Sequence, residues 1–358
     1  GENMDFLYKF PALRGLQANH DYYIAMVPLK MLIQLFPLDE EYASPEHRAQ
    51  RKINEARIPV ITKYILDNRD SYVFSALAAS IDGNFRYVSI VDNENIGVLE
   101  VTKDTKFLIN DGQHRKTAII EALDRDASLG DEMISIVFFA DKGLEHSQQI
   151  FTDLNKNAVK TSNSMAELYD SRDPMAVITR DVIKKIEFFN KYTDKEKDIL
   201  GKYSYNLFTL HTFYSTNKII IGNNVGKNAE SFLTVFWSLV AEHMVQWNEL
   251  ARKDITKKDL REKYIATKGI VIQALGRIGA YLYQHQEIDM QNTLKKIESI
   301  NWRRDAHRWY MRAINQNGRI ITNKRAAILI GNVIKNELDL PLTNDEAFAE
   351  EQLQKTIV

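Results

Sequence analysis

The chain has 358 residues, 44% hydrophobic and 27% charged, the proportions of a globular protein of one or two domains, which excludes long disorder and low-complexity architecture. Its 47 Lys and Arg stand against 48 Asp and Glu, a net charge of −1, so no uniformly basic coat exists and any polyanion site must be local. Cysteine is absent, which removes disulfides, thiolate metal sites and cysteine nucleophiles together, and the longest uncharged stretch, Tyr203 to Asn217, has 15 residues and is too polar to span a membrane. No signal peptide is readable, so a cytoplasmic location without a membrane partner is expected.

Phe10–Gln17 and Tyr22–Val27 read as a hairpin across a polar Asn19-His20-Asp21 turn. Ser44 before Pro45 predicts a helix over Pro45–Ala56, and Ile61, Tyr64 and Ile65 predict another within Pro59–Asn68. Val73–Ile81 and Phe85–Val91 are strand-like and separated by Asp82-Gly83-Asn84, a hairpin-type turn. Ile96–Val101, Lys106–Ile109 and Ile134–Phe139 are further strands. Beyond about residue 142 the apolar spacing becomes helical. It runs through Leu144–Leu154, Ser164–Tyr169, Pro174–Phe189, Glu230–Leu250, Lys268–His285, Thr293–Ile300, Trp302–Ile314 and Thr322–Leu338. The class is therefore α+β, with a mixed sheet and helices over 5–189 and an all-helical domain over 190–358. Charged Asn190–Lys202 reads as a linker or a solvated helix end.

Residues 106–123, KFLINDGQHRKTAIIEAL, carry the most chemistry. A short strand, a tight polar turn and an immediate helix point free N–H groups and the positive end of a helix dipole at whatever lies over the turn. An anion is the natural occupant. Gly112 permits close backbone approach, Arg115 offers a planar donor fork suited to phosphate, and Gln113 and His114 add hydrogen-bonding groups. Asp111 can cap the helix or face a metal or sugar hydroxyl. The blander alternative is a cap, a turn glycine and a solvated arginine.

Asp111-Gly112-Gln113-His114-Arg115 resembles the motif after which DGQHR-domain proteins are called, and the chain resembles their DndB family, which accompanies bacterial DNA phosphorothioation. FPALRGLQANHDYYIAMVPLK, NEARIPVITKYIL, YVFSALAASIDG and IFTDLNKNAVKTSNS extend the likeness. DGQHR domains in turn resemble the ParB/sulfiredoxin-like fold, in which a Gly-x-x-Arg turn holds nucleotide phosphates. That resemblance implies a nucleotide or phosphate site at Gly112, Gln113, His114 and Arg115, closed by Asn155 and Lys156 after the 144–154 helix. It also implies a nucleoside triphosphate with magnesium as the ligand should the site be enzymatic, with Asp111, His114 and Asp153 as candidate catalytic groups. Only Gly112 and Arg115 match the ParB pattern. No protein-held metal site is expected, since His211, His243 and His285 lack partners at ligand spacing.

Residues 301–325 hold seven Lys or Arg against one acid. Wound as a helix over 302–314, Trp302, Ala306, Trp309 and Ala313 would pack, and Arg303, Arg304, Arg308 and Arg312 would face outward. With Arg319, Lys324 and Arg325 in a helical hairpin over 301–338, they form the candidate DNA-binding set. The competing expectation is pairing of these arginines with the acidic tail from Glu337 to Val358. The family resemblance implies a DNA-binding regulator, a transcriptional repressor or modulator, with double-stranded DNA and other DNA sulfur-modification proteins as partners and an oligomer as an option. The rival is a nucleotide-binding or hydrolysing DNA-processing enzyme using the DGQHR turn.

Overall fold

The structure, a computed structural model, describes residues 5, 8–36, 55–90, 92–140, 149–150, 153–154 and 162–357. The chain divides into two compact units, Gly1–Val159 and Lys160–Val358. This division falls earlier than the expected one at 189, because Met175, Val182 and Phe189 pack in the core of the second unit.

In the first unit, seven strands form one sheet: β1 (Tyr8–Gln17), β2 (His20–Pro28), β3 (Leu77–Asp82), β4 (Phe85–Ser89), β5 (Ile96–Val101), β6 (Lys106–Asp111) and β7 (Met133–Ala140). Their order is β4-β5-β1-β2-β7-β3-β6, antiparallel except for the β3–β7 pair. The β1–β2 hairpin forms as expected, but its turn is Ala18-Asn19, with φ of 49° and 64°. Two consecutive positive φ values match the right-handed twist of paired strands. The alternation in β2 buries Tyr23, Ala25 and Val27 and leaves Ile24 and Met26 on the more exposed face.

The expected hairpin across Asp82-Gly83-Asn84 does not form: β3 pairs with β6 and β7, and β4 with β5. The cause is burial. Residues 77–81 are all buried, which requires a place inside the sheet, whereas β4 is largely exposed and sits at an edge. Helices α1 (Arg57–Asp67) and α2 (Gln113–Arg125) pack against each other, and Ile65, Ile119 and Ala122 join Phe10, Val27, Leu77, Ile136 and Phe138 in the core. The expected helix over 45–56 lies almost wholly outside the described residues, as does most of the one over 144–154.

The second unit is built on helices: α3 (Asn163–Tyr169), α4 (Pro174–Lys185), α5 (Glu187–Tyr192), α6 (Leu210–Ile221), α7 (Ala229–His243), α8 (Val245–Ala251), α9 (Lys257–Lys263), α10 (Gly269–Gln284), α11 (Met290–Lys295), α12 (Lys324–Glu337) and α13 (Asn344–Ile357). Two expected long helices are each broken in two, at Ile186 and at Met244, both extended in backbone. An aromatic cluster of Phe189, Phe208, Phe213, Trp237 and Trp247 fills the core. Helix α10 runs close to α6 because Gly276 faces Thr216, where a Cβ would come within 2.4 Å of Thr216 Cγ2. The 190–202 stretch is no linker: Thr193–Asp194 pairs with Phe208–Thr209, and the Asp198 carboxylate accepts from the Asn163 and Ser164 N–H groups at the start of α3.

The helix expected over Trp302–Ile314 is absent, and so is the helical hairpin over 301–338. Residues 301–323 run as irregular chain with one short 3-10 turn at His307–Trp309, and only α12 is helical. Trp302 and Trp309 are both buried and stack with ring centroids 5.5 Å apart and planes 7° from parallel, a contact that does not need a helix between them. Met311, at φ 60°, takes the chain out of the helical region and turns it back, its N–H donating to the Ile314 carbonyl.

Candidate functional site

The Asp111–Arg115 turn has the strand-turn-helix form that its sequence predicts. Gly112 adopts φ 95°, and a Cβ there would lie 2.4 Å from Leu77 Cδ2, so both its conformation and its neighbour require glycine. No side chain caps α2, which removes the capping role considered for Asp111. Arg115 turns its fork into the protein: Nη1 donates to the Ser75 carbonyl at 2.9 Å, to Ser75 Oγ at 2.6 Å and to the Ala76 carbonyl at 3.3 Å. Its Nη2 donates to Asp111 Oδ2 at 3.4 Å. The arginine thereby fastens the turn to the segment leading into β3. Gln113 Oε1 is buried and has no hydrogen-bond partner among the described residues. Lys116, one helical turn into α2, is buried with its ammonium 5.8 Å from the Phe36 ring centre. Asp153 accepts from Gln149 Nε2 at 2.8 Å. Asn155 and Lys156 lie outside the described residues.

The basic residues of the second unit separate into two classes. Arg312 is buried and paired with Glu350, so it is not available to a surface ligand, a correction to its place in the candidate DNA-binding set. Arg308 pairs with Glu337 at 3.0 Å, and Arg303 with Asp305 at 3.0 Å. The tail pairing therefore holds for Arg308 and Arg312. Arg319, Lys324 and Arg325 are exposed and form no ion pair among the described residues. Lys324 and Arg325 occupy the first two positions of α12, capped by Asn323, whose side chain accepts from the Ala326 N–H at 2.9 Å.

Between the end of α9 and residues 303–318 lies a cleft of about 560 Å³, lined among others by Lys263, Arg303, Arg304, His307, Tyr310 and Gly318. Arg304 Nη2 donates to the Gly318 carbonyl at 2.7 Å, and its backbone N–H donates to the Lys263 carbonyl at 2.8 Å, so both walls of the cleft are tied to one residue.

A cluster that sequence spacing missed joins α3 and α6. His211 Nδ1 lies 2.7 Å from Glu167 Oε1, and His211 Nε2 lies 3.3 Å from Ser215 Oγ. Burial pushes the Glu167 carboxyl above its ordinary range, Asp198 and Asp173 add to the rise, and His211 opposes it. The order Ser, His, Glu matches a nucleophile relay, but Ser215 sits in the interior of α6, where backbone N–H groups are spent on the helix, so no oxyanion site adjoins it. Only the four-residue spacing of His211 and Ser215 was readable in advance; the partner 44 residues away was not. His243 is likewise matched, with Glu298 at 2.8 Å. No group of metal-ligating side chains occurs among the described residues, and no helix there is long and apolar enough to cross a membrane.

A family model, DndB, described as DNA-sulfur modification-associated, matches residues 10–341. No curated protein and no solved structure matches the chain. With nearly its whole length covered, the chain belongs to the DndB family and is associated with DNA sulfur modification.

Proposed function

We propose that this member of the DndB family is a DNA-binding regulator of the DNA sulfur-modification system, acting by occupying duplex DNA rather than by making bonds. The observation that carries the reading is the pair Lys324 and Arg325 at the start of α12. A helix begins with the positive end of its dipole, so two cations there oppose the helix by about 0.3–1 kcal/mol each. No acid stands in that first turn to offset them. A phosphate placed over this end meets the dipole and both cations at once. Arg319, exposed and in no ion pair among the described residues, extends the same segment. The set proposed for DNA is therefore Arg319, Lys324 and Arg325, with Arg303, Arg304 and Arg308 as outlying cations.

Duplex titrations across a salt series test it. The log–log slope of affinity against salt should be about −0.9 per phosphate contact, and the double change Lys324→Ala with Arg325→Ala should flatten it by about 2 units on specific and random duplexes alike. An unchanged slope in a folded double variant removes α12 from any DNA interface.

A further inference from the structure

The sheet of the first unit has a second face that its core does not use. Phe10, Ala12, Tyr23, Ala25 and Val27 point into the core, so the alternate residues of the same strands point away from it. In an antiparallel sheet with one covered face, those residues are ordinarily polar. Here they are apolar. Leu13 stands between Ile24 and Ile96 in one row, Val98 stands between Pro11 and Val88 in the next, and Met26 follows Ile24 along β2. Leu13, Ile24, Met26, Val88 and Ile96 are 39–54% exposed. Beyond β7 the open area ends: on β3, Ser80, which shares this side with Phe139, is buried and its Oγ donates to Asn110 Oδ1 at 3.0 Å.

The open face spans the strands β4-β5-β1-β2-β7. At the usual strand spacing and rise, these strands over the length from Tyr22 to Pro28 present roughly 500 Å², so two such faces together bury about 1,000 Å², the area that a specific interface needs. Charge on the face divides between its ends. At one, Lys9 and Arg86 share the single carboxylate of Glu100. At the other, His20 and Asp21 follow the β1–β2 turn, and the β4–β5 connection carries Asp92 and Glu94, with Arg14 3.8 Å from Glu94. The outward lysine and arginine lie at the edge of the face, which does not suit a polyanion as its cover. A two-fold axis crossing the strands lays the Lys9–Arg86 end of one copy over the Asp92–Glu94 end of the other, and apolar rows over apolar rows.

We propose that a second copy of the chain docks on this face, the two sheets packing face to face in an isologous dimer with Leu13 and Ile24 of each copy near its centre. Aligned packing sets two sheets about 10 Å apart with strands crossing at about 30°. Removing the apolar rows from water drives the association, and the opposed charges at the ends fix its orientation. The inference concerns the first unit and does not rest on duplex binding by α12.

Sedimentation equilibrium on the full chain across a concentration series tests the assignment. The parent should sediment as a dimer, at twice the 41.4 kDa of one chain. Leu13→Glu and Ile24→Glu should each weaken the dimer at least about tenfold, as central interface residues do. Both side chains are exposed within one chain, so the variants should melt near the parent's temperature. The chain has no cysteine, so Leu13→Cys gives each copy one thiol. A bismaleimide should join two copies through it, but not through Ile219→Cys, a similarly exposed position on α6 of the second unit. Should either Glu variant melt early, this crosslink decides: its absence, or equal crosslinking through Ile219→Cys, overturns the proposal. A parent that stays monomeric at every concentration overturns it too, as does a dimer that both Glu variants leave unchanged. A monomeric parent with a lower melting temperature in Ile24→Glu would assign the face to a cover from within the chain. The Lys324/Arg325 double variant should dimerise as the parent does, so a failure of the duplex reading and a failure of this one are separately visible.

Discussion

Arg312 and Glu350 meet fork to fork: Nη1 donates to Oε2 at 2.7 Å and Nη2 to Oε1 at 2.5 Å, with the arginine side chain only 8% exposed. The same Nη1 donates to the Leu329 carbonyl at 2.9 Å, so one guanidinium joins the irregular 301–323 segment, α12 and α13. Removing one partner of a buried pair strands the other charge, which costs about 3–5 kcal/mol. Arg312→Ala should lower unfolding free energy by that amount in urea titrations, and the same change on a Glu350→Gln background should cost less, because the two losses overlap. Equal costs on both backgrounds would show that the pair is not coupled.

Deleting residues 343–358 follows the same logic. If the acidic tail were a removable cover over DNA-binding arginines, the deletion would tighten duplex binding. The tail instead supplies Glu350 to Arg312 and Glu346 to Lys335 and Arg277, all within the core side of the unit. The truncated chain should melt at a markedly lower temperature without gaining affinity for DNA, as a thermal scan and a duplex titration at low salt will show.

Glu346 makes stability depend on acidity. Burial alone would raise its carboxyl, but the Lys335 ammonium at 2.7 Å, the Thr343 N–H and Arg277 outweigh that and hold it at about 2. A carboxyl depressed in the fold relative to its ordinary 4.5 adds stability that is fully present above pH 4.5 and is lost as pH falls toward 2. Unfolding free energy should therefore decline across that window. In Glu346→Gln the decline should be shallower and the value at pH 7 lower; a slope identical to the parent would remove Glu346 as its source.

At the Asp111–Arg115 turn the expected phenotype is structural. Gly112→Ala forces a side chain into φ 95° and against Leu77, a combination of strain and overpacking worth about 1–3 kcal/mol. Arg115→Ala leaves the Ser75 and Ala76 carbonyls without their donor, with a cost of about 1–3 kcal/mol. Both should appear as lower midpoints in chemical denaturation, and an Arg115→Ala protein as stable as the parent would mean that the arginine does not hold the turn to β3.

Much of the fold was legible because burial leaves a local signature. The strands of the first unit and the helical spacing of the second appear near their expected positions, and the strand-turn-helix of 106–125 follows from an apolar run, a glycine and a helical stripe. Even where the element was misjudged, its apolar residues were not: Trp302, Trp309 and Ala313 are buried although no helix connects them. The hairpin expected across Asp82-Gly83-Asn84 failed for the opposite reason, although both of its strands form. Turn chemistry is local, but the partner of a strand is chosen by how many of its faces must be covered, and β3 needed neighbours on both sides.

The sequence by itself determined which side chains leave water and where the chain can turn, since both depend on residue type and near neighbours. Tertiary structure alone decided which charges remain free. Arg312 and Arg325 are the same residue in the same basic stretch, yet one meets a carboxylate 38 positions further on and is consumed by the fold, while the other opens a helix with no acid beside it. A guanidinium is neutralised by whatever long-range packing brings within about 4 Å, and that distance is not written in the spacing of residues along the chain.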